Sequence, residues 1–256
     1  MNILLTGADR GLGLGTCKRL LELGHVVFAG QYLTKWNELD ELKKQFADTL
    51  FLLPLDVSDF DSVNAALKIV SEKTDTIDMI INNAGISGKL IPRTGEAPNV
   101  QLSNIQADTR QPDENLTHDI EAMRRAYETN TLGPIRVVDV FLPLLKNSTI
   151  KRLCFVSSEA GSVTKSKRTE LFGYCMSKAA VNMYVKILFN RLHPIGYTFR
   201  LYHPGWVRSY MGGVKSEHGA IEPDDAGRYA VMHYLSNTID EDVLQLTDYT
   251  GKIWPF

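Results

Sequence analysis

Tyr174 and Lys178 are the pair in this chain best suited to move a proton. Four residues apart on a helix, they share one face, about one turn from each other. A free phenol titrates near ~10 and is a poor acid or base at neutral pH. Bringing it to about 7 takes roughly 4 kcal/mol. A unit charge about 4 Å away, at an effective dielectric of ~20, supplies that amount. Lys178 is therefore expected to lower the phenol of Tyr174 and make the pair a general acid/base. Tyr-x-x-x-Lys also arises by chance on amphipathic helices, so the reading depends on the rest of the chain.

The chain has 256 residues, of which 44% are hydrophobic and 23% charged. That is enough for one α/β domain over residues 1–256 with a sizeable core. A net charge of −2 argues against a nucleic-acid or anionic-membrane partner. Cys17, Cys154 and Cys175 have no metal-ligand spacing and suit a reducing, cytoplasmic compartment. No metal site is expected. No apolar run reaches transmembrane length. Residues 2–5 already read as a strand before a glycine turn, so no signal peptide is expected in front of them.

Residues 2–6 form a short buried strand, and Gly7-Ala8-Asp9-Arg10-Gly11-Leu12-Gly13 leads into a helix that runs to about residue 23. Glycine lets the backbone approach a pyrophosphate, and the helix N-terminus supplies free N–H groups and a positive dipole. The second strand, 25–30, ends without the acid that NAD enzymes place against the ribose 2′-hydroxyl. Arg10 suits a 2′-phosphate, whereas Asp9 beside it would repel one. NADP(H) is favoured and NAD(H) left open.

Further along, 49–55 is a strand ending in Asp56-Val57, with Ser58 or Asp59 capping the next helix. Strand 77–81 precedes Asn82-Asn83-Ala84-Gly85. Residues 88–115 are polar and irregular, long for a connection in a compact domain. A helix over 117–145 is expected to kink near Asn130, because Pro134 cannot donate its turn's hydrogen bond. Strand 152–156 delivers Ser157-Ser158, and 163–170 is a basic loop carrying Lys165, Lys167 and Arg168. The helix of Tyr174 runs to about residue 191. Strand 198–202 leads to His203-Pro204-Gly205-Trp206-Val207-Arg208-Ser209. Residues 211–220 make a plausible lid, Pro223 starts a last helix, and 248–253 is a final strand. This alternation argues for a single-domain Rossmann-like doubly wound parallel sheet.

Taken together, these motifs resemble the compact branch of the short-chain dehydrogenase/reductase family over almost the whole length. Thr6-Gly7-x-x-x-Gly11-x-Gly13 is similar to its glycine loop, Asp56-Val57 to its adenine pair, and Asn82-Asn83-Ala84-Gly85 to its strand-four motif. Asn130, Ser158, Tyr174 and Lys178 match its four catalytic positions, and Pro204-Gly205 its nicotinamide-side turn. The segments around Trp206 and Trp254 are similar to a carbonyl-reductase-like subgroup.

The resemblance implies an NAD(P)-dependent oxidoreductase that transfers a hydride between nicotinamide and a small carbonyl or alcohol. Tyr174 gives or takes the oxygen's proton, Ser158 holds the substrate oxygen, and Lys178 also holds the nicotinamide ribose. Asn130 fixes a water leading to Lys178. Gly7, Asp9, Arg10, Gly11, Leu12, Gly13, Asp56, Val57, Asn83, Ala84, Gly85 and Pro204 line the cofactor site, with Val207 at the carboxamide and Ser209 at a phosphate. A homodimer or homotetramer is left open. So are a non-catalytic redox sensor and an NAD-dependent dehydrogenase working in the oxidative direction.

Overall fold

The computed structural model describes residues 1–33, 36–88, 118–211 and 215–256. Its strands are β1 (Asn2–Leu5), β2 (Val26–Gln31), β3 (Leu50–Pro54), β4 (Met79–Asn82), β5 (Arg152–Val156), β6 (Thr198–His203), β7 (Leu246–Asp248) and β8 (Ile253–Trp254). They form one eight-stranded sheet in the order β3-β2-β1-β4-β5-β6-β7-β8. All neighbours are parallel except β7 and β8. The chain moves outward from β1 to β3, then crosses back to β4. Strand order therefore reverses between β1 and β4, which opens a crevice at their C-terminal ends.

Helices α1 (Gly11–Glu22), α2 (Glu38–Gln45) and α7 (Pro223–Leu235) cover one face, and α3 (Phe60–Ser71), α5 (Gly133–Lys146) and α6 (Phe172–Leu192) the other. α4 (Ile120–Tyr127) stands over α6. Strand side chains alternate between the two cores. Ile3 and Leu5 join the α1 side, and Leu4 the α5 side. Burial on both faces explains why these strands read as unbroken apolar runs. Where α1 crosses α7, the two chains touch through Gly15 and Gly227. A Cβ on Gly15 would lie 2.2 Å from the Pro223 carbonyl oxygen. Among the described residues no helix is long and apolar enough to cross a membrane.

Two local expectations are corrected. The helix expected over 117–145 is α4, then a π turn at Glu128–Leu132, then α5. Pro134 has no N–H for the Asn130 carbonyl, and the Gly133 N–H reaches five residues back to Glu128. The kink falls where it was expected, but as a change of hydrogen-bond ladder. The final strand expected over 248–253 is instead a turn between β7 and β8. Asp248 Oδ1 accepts from the Thr250 and Lys252 amides and the Thr250 hydroxyl, which folds the chain back on itself. α2 has only Leu39 and Leu42 buried, too little apolar signal to be anticipated. Asp59, rather than Ser58, caps α3 through the Asp61 amide. The irregular 88–115 stretch, apart from Gly88, lies outside the described residues, as do 212–214 of the expected lid.

Candidate active site

Over the C-terminal ends of β1, β4, β5 and β6 lies a cleft of about 1580 Å³. Every residue assigned to cofactor or catalysis from sequence lines it except Asn130.

The cofactor end is built on the glycine loop. Gly7 holds φ +62, and a Cβ there would meet Ala84 Cα at 2.8 Å. Thr6 Oγ1 accepts from the Asn83 and Ala84 amides, each at 3.0 Å. Asn83 Nδ2 donates to the Thr6 and Gly7 carbonyls, each at 2.9 Å. The Asn83 side chain is thus a brace for the loop. Ala8 N donates to Gly30 O, tying the loop to β2. Gly13 is packed tightest, since a Cβ would sit 2.0 Å from the Gly7 carbonyl oxygen. We expect Gly13→Ala to push the loop off α1. A loss of about 1–3 kcal/mol of stability, with loss of dinucleotide binding, would register in a thermal melt and a fluorescence titration. Native stability with intact binding would contradict this account.

Asp56 and Val57 follow β3. Asp56 Oδ1 takes the Ser58 amide and hydroxyl at 2.9 and 2.6 Å, so the carboxylate shapes this turn. Val57 is pressed against Gly133, where a Cβ would come within 2.7 Å of its Cγ2. Ser209 lies against the other side of the loop, 3.2 Å from where a Gly11 Cβ would stand.

Asp9 and Arg10 behave differently from the expectation of mutual conflict. The Asp9 carboxylate is buried and accepts the Leu33 amide at 3.3 Å. Burial raises its pKa above the ordinary carboxylate value, against opposing contributions from its own amide, Arg10 and the Leu33 and Tyr32 amides. Its charge is committed to the loop after β2. Arg10 lies in the cleft with its guanidinium over the Trp36 ring, 5.7 Å from the centroid. Its Nη1 is buried and, among the described residues, has no hydrogen-bond partner. A buried guanidinium nitrogen without an acceptor fits an oxyanion. Trp36 also meets Tyr210 edge to face at 4.9 Å. Neither aromatic was anticipated, because nothing in their sequence neighbourhood points to the cleft.

At the catalytic end, β5 runs into Ser157 and Ser158. Ser157 Oγ bonds to Asn182 Oδ1 at 2.5 Å. Ser158 Oγ accepts the Ala160 amide at 3.1 Å, capping a single turn of 3-10 helix. Tyr174 is half-buried at the start of α6, in the cleft wall, and shares a side-chain hydrogen bond with Ser158. Lys178 lies one turn on, its Nζ 5.7 Å from the centre of the Tyr174 ring. That Nζ donates to the Val156 carbonyl at 2.9 Å. Gly161 lets the 3-10 turn lie directly on α6, since a Cβ would meet Lys178 C at 2.7 Å.

Asn130 reaches the site from the π turn. Its Oδ1 accepts Ile86 N and its Nδ2 donates to Ile86 O, both at 2.8 Å, with a further bond to Ser177 Oγ at 2.9 Å. The side chain therefore pins the chain after Gly85. A water route from Lys178 is left the main chain of this turn or the second lone pair of Oδ1.

Burial works against the expected lowering of the phenol. Burial holds the Tyr174 phenol above its ordinary value. The Ser158 hydrogen bond pulls it down, Glu159 pushes it up, and Arg168 pulls it down. Burial lowers Lys178 itself to about 8. In this site desolvation of both groups outweighs their mutual attraction. Of the three loop cations, Lys165 and Lys167 are exposed, whereas Arg168 turns into the cleft and pairs with Glu159 Oε1. Nothing in the sequence around Glu159 marks it as facing the cleft. His203, at the end of β6, also lines the cleft, with Nδ1 buried and unpartnered among the described residues.

A doubly wound sheet, a glycine loop under a helix N-terminus, and a Ser-Tyr-Lys cluster in the cleft wall define a nicotinamide-dependent oxidoreductase acting on a CH–OH/C=O couple. The chain belongs to the short chain dehydrogenase family, whose model matches residues 1–219. It is 32% identical over 209 residues to uncharacterized oxidoreductase C663.09c of Schizosaccharomyces pombe, covering 81% of this chain and 74% of that one. NADPH-bound carbonyl reductase from chicken fatty liver shares 28% identity, with a TM-score of 0.78 over 100% of this chain and 98% of that one. The carbonyl reductase Sniffer of Drosophila melanogaster shares the fold, at 23% identity and a TM-score of 0.80 over 100% and 99% of the two chains.

Proposed function

We propose that this protein reduces a small carbonyl compound with NADPH, in the cytoplasm, with residues 1–256 acting as one dinucleotide-binding and catalytic domain. The observation that supports the direction is the Tyr174 phenol in the cleft wall beside Ser158, with burial raising it above its ordinary value. A protonated phenol is poised to give a proton to a developing alkoxide. The observation that carries the cofactor is Arg10 Nη1, buried without an acceptor beside a β2 that ends in Gln31 rather than an acid.

The nicotinamide supplies the hydride when bound. This chain's residues do the rest. The glycine loop and the N-terminus of α1 hold the pyrophosphate, and Arg10 the 2′-phosphate. Asp56, Val57 and the main chain of 83–85 line the adenosine side. Lys178 holds the nicotinamide ribose, and Pro204, Val207 and Ser209 the carboxamide side. Ser158 holds the substrate oxygen while Tyr174 Oη gives its proton.

The test is a paired titration with NADPH and NADH, followed by a carbonyl panel read by loss of NADPH absorbance. NADPH should bind more tightly, and Arg10→Ala should weaken NADPH by about 1–3 kcal/mol, or roughly 5- to 150-fold, with little effect on NADH. Equal losses for both cofactors would show that Arg10 does not read the 2′-phosphate. No turnover with any carbonyl at saturating NADPH would favour a redox sensor.

A further inference from the structure

We propose that a second cavity, between α7 and the β7–β8 turn, is a binding site for a small neutral phenol. It has a volume of about 450 Å³, enough for a small molecule, and lies on the α7 side of the sheet. The β7–β8 turn separates it from the catalytic cleft, so that Asp248, Tyr249 and Thr250 line both spaces. None of the residues assigned to cofactor or catalysis lines it.

Its floor is a pair of stacked rings, Tyr202 from β6 and His233 from α7, with centroids 5.1 Å apart and planes at 27°. Tyr202 is fully buried. Its Oη and His233 Nε2 are both buried, and neither has a hydrogen-bond partner among the described residues. Buried polar atoms are nearly always paired, so two orphans on stacked rings in one cavity call for a hydrogen-bonding guest. A tyrosine hydroxyl both gives and accepts, and a neutral imidazole nitrogen does one or the other. Together they match a single guest hydroxyl, which takes a hydrogen bond from one and gives its own to the other.

The surroundings favour an uncharged guest. Among the described residues no lysine or arginine lines the cavity, so an anion finds no partner. Burial, then Arg200 and Arg152, lower His233 to about 4 and keep it neutral. The same two arginines oppose a cation at its Nε2. Asp248 in the lining is already engaged, by its own turn and by the Trp254 indole N–H at 2.8 Å. Asp240 accepts the Asp242 amide at the exposed rim. The walls suit a flat apolar body. Tyr229 and Tyr249 meet with ring centroids 5.9 Å apart, and Met232 and Ile253 lie exposed in the same lining.

The test is an NMR titration of protein labelled at the methionine methyls, with p-cresol as the probe. Met232 lines this cavity, whereas Met123, Met176 and Met211 line the catalytic cleft, so the methyl that moves reports the site. Met232 is assigned by loss of its signal in Met232→Leu. p-Cresol should shift Met232 saturably and bind about fivefold more tightly than p-xylene, which has the same shape without the hydroxyl. 4-Hydroxybenzoate and tyramine, an anionic and a cationic phenol, should bind more weakly than p-cresol. Tyr202→Phe and His233→Phe keep the stacked rings, and each should erase the preference for p-cresol over p-xylene. Tyr202→Phe also removes a buried hydroxyl without a partner, so its thermal midpoint should not fall below wild type. Shifts confined to the cleft methionines, equal binding of p-xylene, or tighter binding of a charged phenol would overturn the proposal. So would variants that keep the hydroxyl preference, or a Tyr202→Phe protein less stable than wild type. A Met232 signal that moves with protein concentration before any probe is added would also overturn it, since a second copy of the chain would then cover the cavity.

Discussion

Tyr174→Phe is expected to lower kcat about a thousandfold, close to 4 kcal/mol of barrier, within the range for removing a general acid. The phenyl ring still fills the same half-buried volume, so only the hydroxyl and its bond to Ser158 are lost. NADPH affinity and the thermal midpoint should stay near wild type. The pH dependence has a definite sign. Reduction needs the phenol protonated, and burial keeps it so beyond its ordinary value. The alkaline limb must then come first from Lys178, which loses its charge as pH rises through about 8. Wild-type kcat/KM should be flat at neutral pH and fall above that point. If the Phe variant kept more than about a tenth of kcat, a loss under ~1.4 kcal/mol, Tyr174 would not be the acid.

Much of this site was legible before any coordinates. Periodicity alone placed β1 to β6, because strands buried on both faces read as short apolar runs between glycine and polar turns. The glycine loop, Asp56, Ser158, Tyr174 and Lys178 fall at strand ends or helix starts, where spacing carries meaning. What failed was long-range. Lys178 was set beside Tyr174 by helix geometry, but no sequence rule shows that Nζ turns to Val156 O or that burial dominates both groups. Arg168 and Glu159 are nine residues apart, and only the fold brings them together across the cleft wall. Asp9 looked like a phosphate repellent because its acceptor role toward Leu33, 24 residues on, is tertiary. The β7–β8 turn was hidden by Asp248, which organises it by side-chain bonds that a strand pattern does not register.

Lys178→Met should separate function from stability. Turnover should fall at least a hundredfold and NADPH should bind more weakly, because the ammonium that holds the ribose is gone. The folded protein should nevertheless become more stable without cofactor. The lysine titrates at 10.5 when free and at about 8 in the fold, so folding disfavours its proton. Over that interval of about 2.5 pH units the linked penalty is on the order of 3 kcal/mol. Methionine removes the penalty but forfeits the bond to Val156 O, which offsets about 1 kcal/mol. A net gain of ~1–2 kcal/mol, or a few degrees in Tm, is the expectation at pH 7. The penalty is present in full below pH 8 and fades as pH rises toward 10.5, since wild type then folds with a neutral amine in both states. Thermal melts of both proteins without cofactor from pH 6 to 10 should therefore converge at the alkaline end. A variant less stable than wild type at pH 7, or a gap that widens with pH, would mean that the buried ammonium supports the fold rather than straining it.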